Sequence, residues 1–188
     1  MSRTFRMLVV LAALGGCPAA AAADGLILAA ELGESYAYFS PWESGEPLTN
    51  LGLRFFTVDN DVDLGLAVRM GRPWGGSLTN AGELGLDFSF RFHDDVYGGD
   101  DFEPFLMGGA SYSHLWAEVE PPAGSPPADP ASWTTRNGVG LRLGGGFLVV
   151  LDEFYFDFTL YALGEILWPE PSWVAGGGAS IALGVYID

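Results

Sequence analysis

From Gly82 to His93 the chain alternates without interruption, with Leu84, Leu86, Phe88, Phe90 and Phe92 on one parity and Glu83, Gly85, Asp87, Ser89, Arg91 and His93 on the other. A period of two sends successive side chains to opposite faces of a strand. The same alternation runs through Val62–Met70, Arg136–Val150, Phe154–Leu167 and Trp173–Ile187. It is less regular in Leu26–Phe39, where Glu34 falls among Leu26, Leu28, Leu32, Tyr36 and Tyr38. With Asn50–Val58 and Phe105–Val119, the pattern predicts eight strands after residue 24. An oily face opposite a charged one suits a soluble sheet with its oily face inward, or a transmembrane barrel with that face toward lipid.

The connections decide between these settings. The first, third, fifth and seventh, near Ser40–Thr49, Gly71–Ala81, Glu120–Thr135 and Trp168–Ser172, hold ten of the twelve prolines. The second, fourth and sixth, near Asp59–Asp61, Asp94–Asp101 and Asp152–Glu153, hold aspartate and glutamate and no proline. Trp42, Trp74, Trp133, Trp168 and Trp173 lie in or beside the first set, and Trp116 lies near the end of the strand that leads into it. In an up-and-down meander, alternate connections lie at opposite ends. One end is therefore rich in Trp and Pro, and the other is acidic and tight. A membrane barrel has reason to sort tryptophan in this way, because indole rings settle at the bilayer interface and outer loops exceed inner turns in length. The six tryptophans are accordingly expected to form an interfacial aromatic girdle.

The first residues carry a location. Met1–Ala23 has a basic start at Arg3 and Arg6, an apolar run over Met7–Leu14 and a small-residue tail ending Ala21-Ala22-Ala23, which reads as a signal peptide cleaved before Asp24. The expected organisation is a signal peptide over 1–23 and a barrel domain over 24–188. No later segment has the run of about 18 apolar residues that a transmembrane helix needs. The sole cysteine, Cys17, leaves with the signal, or else is lipidated if Leu14-Gly15-Gly16-Cys17 acts as a lipobox. The formal net charge is −16, becomes −18 when Arg3 and Arg6 are removed, and is unrelieved by any lysine. Such a surface excludes a basic stripe for nucleic acid.

On the less apolar faces, Arg54, Arg69, Arg91 and Arg142 keep company with Glu31, Asp63, Glu83, Asp87, Asp157 and Glu165. In a barrel these ten are expected to form an interior charge network. For the hairpin of the third and fourth strands, one register sets Arg69 opposite Glu83, and a two-residue slip sets Asp63 opposite Arg91. A one-residue slip would turn arginines to lipid, at roughly 2–4 kcal/mol each near the midplane. The facing is thereby fixed, while both registers stay open.

Pro104-Phe105-Leu106-Met107-Gly108-Gly109-Ala110-Ser111-Tyr112 and Gly138-Val139-Gly140-Leu141-Arg142-Leu143-Gly144-Gly145-Gly146 resemble glycine-rich strands of the small eight-stranded outer-membrane β-barrel proteins of Gram-negative bacteria, the OmpA/OmpX-like or OmpW-like group. The resemblance spans the mature chain as a pattern. It implies an all-β, eight-stranded antiparallel up-and-down transmembrane barrel in the outer membrane, inserted by the barrel-assembly machinery. The last strand of that group ends on an aromatic residue, whereas this chain ends Val185-Tyr186-Ile187-Asp188.

Other chemistry is weaker. The glycines of 138–146 are not followed by the lysine of a phosphate loop. A Ser–His–acid site on the barrel wall, as in lipid A deacylases, would have to use His114 with Ser111 or Ser113, but strand parity puts His114 with Tyr112 and Trp116 and turns the serines the other way. His93 falls on the charged face beside Asp94 and Asp95. Asp59-Asn60-Asp61 and Asp94-Asp95 lack the spaced ligands of a calcium loop. Glu43, Glu46, Glu118, Glu120 and Glu170 lie toward the Trp-rich end, and in an outer membrane that location makes them candidates to bind divalent ions bridging lipopolysaccharide phosphates.

The expectation is thus a monomeric, non-enzymatic barrel without cofactor or metal, with a structural or surface-interaction role and with membrane lipids and lipopolysaccharide as partners. An eight-stranded barrel is just wide enough for side chains to fill it. The alternatives are a narrow channel or hydrophobic-ligand passage lined by Phe105, Tyr155 and Tyr161, a lipid A-modifying hydrolase, and a soluble exported ligand-binding barrel.

Overall fold

A computed structural model describes residues 25–58, 62–74, 81–93, 102–119 and 132–187. The segment read as a signal peptide and the acidic turns 59–61 and 94–101 lie outside them. Eight strands, β1 (Gly25–Phe39), β2 (Ser44–Val58), β3 (Val62–Pro73), β4 (Ala81–Phe92), β5 (Phe102–Val119), β6 (Ser132–Leu151), β7 (Phe154–Trp168) and β8 (Ser172–Ile187), pair antiparallel with their neighbours in chain order. β8 closes on β1, from Leu26↔Ile187 to Phe39↔Val174, so the sheet is a closed barrel without a free edge along its main body.

Side-chain alternation builds both walls. The odd positions of β1, β3, β4, β5 and β7 and the even positions of β2, β6 and β8 point inward and are mostly buried. The opposite parity presents Leu, Val, Ile and Phe outward, with Leu106, Leu141 and Ile166 as much as 71, 67 and 68% exposed. Exposure on this scale over every strand is the inverse of a soluble protein's surface.

The strands run longer than the sequence pattern indicated, most of all at β2, which begins at Ser44 where a loop to Thr49 was expected. The first connection shrinks to a single 3-10 turn over Ser40–Trp42, closed by Glu43 in the left-handed region at φ 48°. Pro47 is tolerated in β2 because pairing with β3 starts only at Leu48, so Pro47 has a strand on one side alone. Pro73 and Pro104 sit in similar overhangs, beyond the reach of β4 in each case. A proline, which has no N–H to give, fits a strand at such positions. At the other end, β6 and β7 join through Asp152 and Glu153, with Asp152 at φ 52°, a conformation that aspartate accepts more readily than most residues.

Between β3 and β4 the register sets Asp63 opposite Arg91 and Arg69 opposite Gly85. Of the two registers left open by the sequence, the barrel adopts the one that pairs Asp63 with Arg91. Arg69 still reaches Glu83 on the diagonal, so both ion pairs form.

Candidate functional site

The barrel interior has three layers. Toward the acidic turns, Ile27, Phe56, Val58, Phe105, Leu148 and Val150 form a buried apolar cluster. Toward the Trp-rich end, Ala37, Phe39, Leu48, Leu115, Leu167 and Val174 form a second. Between them lie the charged side chains, all ten of the predicted set pointing inward and all buried.

Nine of the ten join in one chain of contacts. It begins at His93, whose Nε2 lies 3.1 Å from Asp63 Oδ1. Arg91 Nη2 donates to Asp63 Oδ2 at 2.7 Å, and its Nη1 lies 3.3 Å from Asp157 Oδ2. Arg54 Nη1 donates to both Asp157 oxygens at 3.0 Å, while its Nε donates to Glu31 Oε2 at 2.8 Å. Glu31 lies 3.7 Å from Arg142 Nη2, whose other arm donates to Asp87 Oδ2 at 2.8 Å. Asp87 accepts from Arg69 Nε at 3.3 Å, and Arg69 Nη1 ends the chain on Glu83 at 2.5 Å. The forked guanidinium is suited to this use, because it presents several donors in a fixed plane and bridges two carboxylates at once.

Glu165 stands apart from this chain. Ser111 Oγ donates to its Oε1 at 2.9 Å and Ser113 Oγ to its Oε2 at 2.5 Å. Space for this arrangement comes from Gly138, where a Cβ would lie 2.7 Å from Ser113 Oγ and 2.9 Å from Glu165 Oε2. Gly85 makes the same allowance for Arg69, since a Cβ there would lie 2.8 Å from Nη2. The glycine-rich inner face is therefore what lets long charged side chains lie flat against the wall.

The expected charge network omitted the polar groups that complete this layer. Tyr155 is fully buried, accepts from Arg91 Nη1 and donates to Asp157. Thr159 donates to Asp157 Oδ1 at 3.0 Å, and Ser180 accepts from Arg54 Nη2 at 2.9 Å. The guanidinium of Arg91 lies 3.7 Å over the Phe56 ring and that of Arg142 lies 3.6 Å over Tyr161. Inward parity was available as a signal for all of them. Phe105, Tyr155 and Tyr161, considered as the lining of a passage, instead pack against other interior side chains. Two interior cavities measure only about 10 Å³ each, at the lower bound of the space that one water needs.

The tryptophans gather at one end, but they do not act alike. Trp173 meets Tyr38 in a tilted contact at 5.3 Å, Trp168 lies 6.3 Å from Tyr112, and Trp116 lies 6.1 Å from His114, all on outward positions. Trp74 Nε1 donates to Glu34 Oε2 at 2.9 Å, and Trp133 is exposed. Trp42 departs from the expected girdle. The short 3-10 turn folds it back over the mouth, where it packs 5.5 Å from Phe39 against the upper apolar cluster. A second aromatic group lies outside near the acidic turns, its β4 members being the outward phenylalanines that the alternation predicts. Phe147 stacks on Phe158 with centroids 5.3 Å apart and meets Phe102 in a tilted contact at 4.2 Å, and Phe88, Phe90 and Phe92 run along β4.

The catalytic and metal possibilities find little geometry. His114 Nδ1 lies 3.0 Å from Asn137 Oδ1 on the outer wall, while Ser111 and Ser113 face inward to Glu165, so the strand itself separates the serines from the imidazole. The acidic residues of the Trp-rich end are scattered. Glu46 is buried with Ser44, Glu170 pairs with Arg136 at 2.5 Å, and Glu120 lies outside the described residues. Among the described residues no group of three or more His, Cys, Asp or Glu side chains is arranged to hold a metal.

Comparison with solved structures gives the fold relatives. The chain is similar to Neisserial surface protein A, at 13% identity over 86% of this chain and 96% of that one, with a TM-score of 0.57. It is also similar to Ail, the attachment invasion locus protein of Yersinia pestis, at 12% identity over 87% of this chain and 98% of that one, with a TM-score of 0.55. No family model matches, and no curated sequence does. The fold is that of the small eight-stranded outer-membrane barrels.

Proposed function

We propose that the chain is an integral barrel of a Gram-negative outer membrane, exported through a cleaved signal peptide, with a structural or surface-interaction role and no catalytic activity. The observation that carries this reading is the outer wall, a band of exposed Leu, Val, Ile and Phe side chains over all eight strands, interrupted on β1 by Glu34, which accepts from Thr49 and Trp74, and edged by Trp and Tyr at one end and Phe at the other. Water is a poor solvent for such a surface, and lipid is a good one. The Trp-rich end faces outward from the cell, and the termini and acidic turns face the periplasm. The likeness to a surface protein and an attachment protein supports a role at the cell surface.

The interior supports a filler role in preference to passage. The ten charges brace the wall across the barrel axis, and the two apolar layers close both ends. The protein acts as a monomer, meets membrane lipids and lipopolysaccharide along its outer wall, and reaches the membrane through the barrel-assembly machinery.

Fractionation followed by gels of unheated and boiled protein tests the reading. The expected result is recovery in outer membranes with a heat-dependent mobility shift. Recovery in the soluble periplasm, with identical mobility before and after boiling, would overturn it in favour of an exported soluble barrel.

A further inference from the structure

On the outer wall, a groove of about 560 Å³ opens between the β2–β4 sector and the β5/β6 hairpin. Its origin lies in the register. β4 begins at Ala81 opposite Ala117, whereas β5 continues to Val119 and β6 starts at Ser132, so this hairpin rises past the end of β4. Residues 132–136 of β6 pair with β5 alone, because β7 joins only at Asn137. The notch left beside the hairpin is floored by Gly82, over which the Trp116 indole lies, and walled by Leu51, Met70 and Trp133. Its volume lies within the range of small-molecule sites, and its walls are apolar, as such sites require.

One charge stands at its edge. Arg72 lines the groove and is exposed, and it makes no ion pair or hydrogen bond among the described residues. The other described arginines are engaged, since Arg54, Arg69, Arg91 and Arg142 are tied into the interior and Arg136 is paired with Glu170. The chain contains no lysine. Among the described residues Arg72 is therefore the arginine without an ion pair, in a protein whose formal charge is −16, and the nearest carboxylate on its face, Glu34, is already held by Thr49 and Trp74. A guanidinium matches a phosphate through paired donors. An apolar trough beside such a group matches the acyl chain of the same molecule.

We propose that this groove binds one phosphorylated acyl glycolipid of the outer leaflet, of the lipid A class, with an acyl chain along Leu51, Met70 and Trp133 and a phosphate on Arg72. The inference rests on the membrane reading above, and on the Trp-rich end facing outward. It adds to that reading a defined site and a ligand chemistry.

Native mass spectrometry of the detergent-folded protein, titrated with bisphosphorylated lipid A, dephosphorylated lipid A and phosphatidylglycerol, tests it. The wild type is expected to hold one bisphosphorylated lipid A in preference to the other two. Arg72→Gln is expected to weaken that complex about tenfold and to leave the dephosphorylated lipid unaffected, as loss of one charge-assisted contact requires. Met70→Trp, which fills the trough from the outer wall, is expected to weaken both forms of lipid A. Each variant must retain the heat-dependent mobility shift of the wild type. Equal binding by wild type and Arg72→Gln, or equal binding of phosphatidylglycerol and lipid A, would overturn the proposal, and so would a second protein copy in place of lipid. A wild-type chain that fails to enter bilayers defeats the membrane reading and this site with it, whereas a chain that inserts and ignores Arg72 defeats this site alone.

Discussion

The middle of the barrel interior and its two ends solve the same filling problem with opposite chemistry. In the middle, four guanidiniums and six carboxylates share a space closed to solvent, and their partners reach across the axis from β2 to β7 and from β4 to β6. At the ends, Phe56, Leu148, Leu115 and Leu167 fill the same cross-section with hydrocarbon. In a soluble protein the apolar layers would be the core and the charges would lie outside. Here the outer wall is predominantly apolar, with its charged exceptions Glu34 and Arg72 toward the Trp-rich end, so the buried charges sit inside a hydrocarbon-faced shell. The ionic layer specifies which face of each strand points inward, because a one-residue slip would expose several charges together. The apolar layers exclude water from the two ends of that network and so keep its ion pairs strong.

The contrast yields predictions that differ in size. Arg91→Ala removes the cation shared by Asp63 and Asp157 and leaves both buried without it, at an expected cost of about 3–5 kcal/mol in urea unfolding from lipid vesicles. Leu167→Ala in the upper apolar layer creates a cavity without stranding a charge and is expected to cost about 2–5 kcal/mol in the same assay, with the low end favoured if the mouth collapses onto it. If the two costs were reversed, with the arginine the milder, the ionic layer would be a passive filler. On the outer wall, Leu141→Arg places a charge near the middle of β6 and is expected to cost about 2–4 kcal/mol in a bilayer, and much less in a soluble periplasmic setting. At the rim, Arg136→Gln breaks an exposed pair with Glu170 and is expected to cost about 1 kcal/mol or less. A larger loss there would mean that the rim, like the middle, depends on charge.

How far the sequence carried this picture depends on the residue. The inward facing of Arg91, Asp63 and Asp157 could be read from parity, because their strands keep a strict period of two. Their joining through one guanidinium could not, since β4 and β7 meet only across the closed barrel. The same limit applied to Glu165, whose serine partners on β5 come from a strand it never pairs with. The apolar end layers were obscured because Ile27 and Phe56 stand among outward leucines and phenylalanines, where an inward apolar residue leaves no mark on the alternation. Trp42 was grouped with the other tryptophans by its position in the chain, and only the tightness of the 3-10 turn turns it toward the mouth. The long β2 was hidden by Pro47, whose acceptance depends on β3 stopping short of it.

Of all consequences, a closed interior is the most directly measured. Single-channel recording of the purified protein in planar bilayers, with insertion verified by the heat-dependent mobility shift, is predicted to give a flat baseline across the voltage range. Reproducible unitary current steps from the inserted wild type, abolished by boiling, would contradict the account, because they would require a continuous water path through the layers formed by Phe56, Arg91 and Leu115.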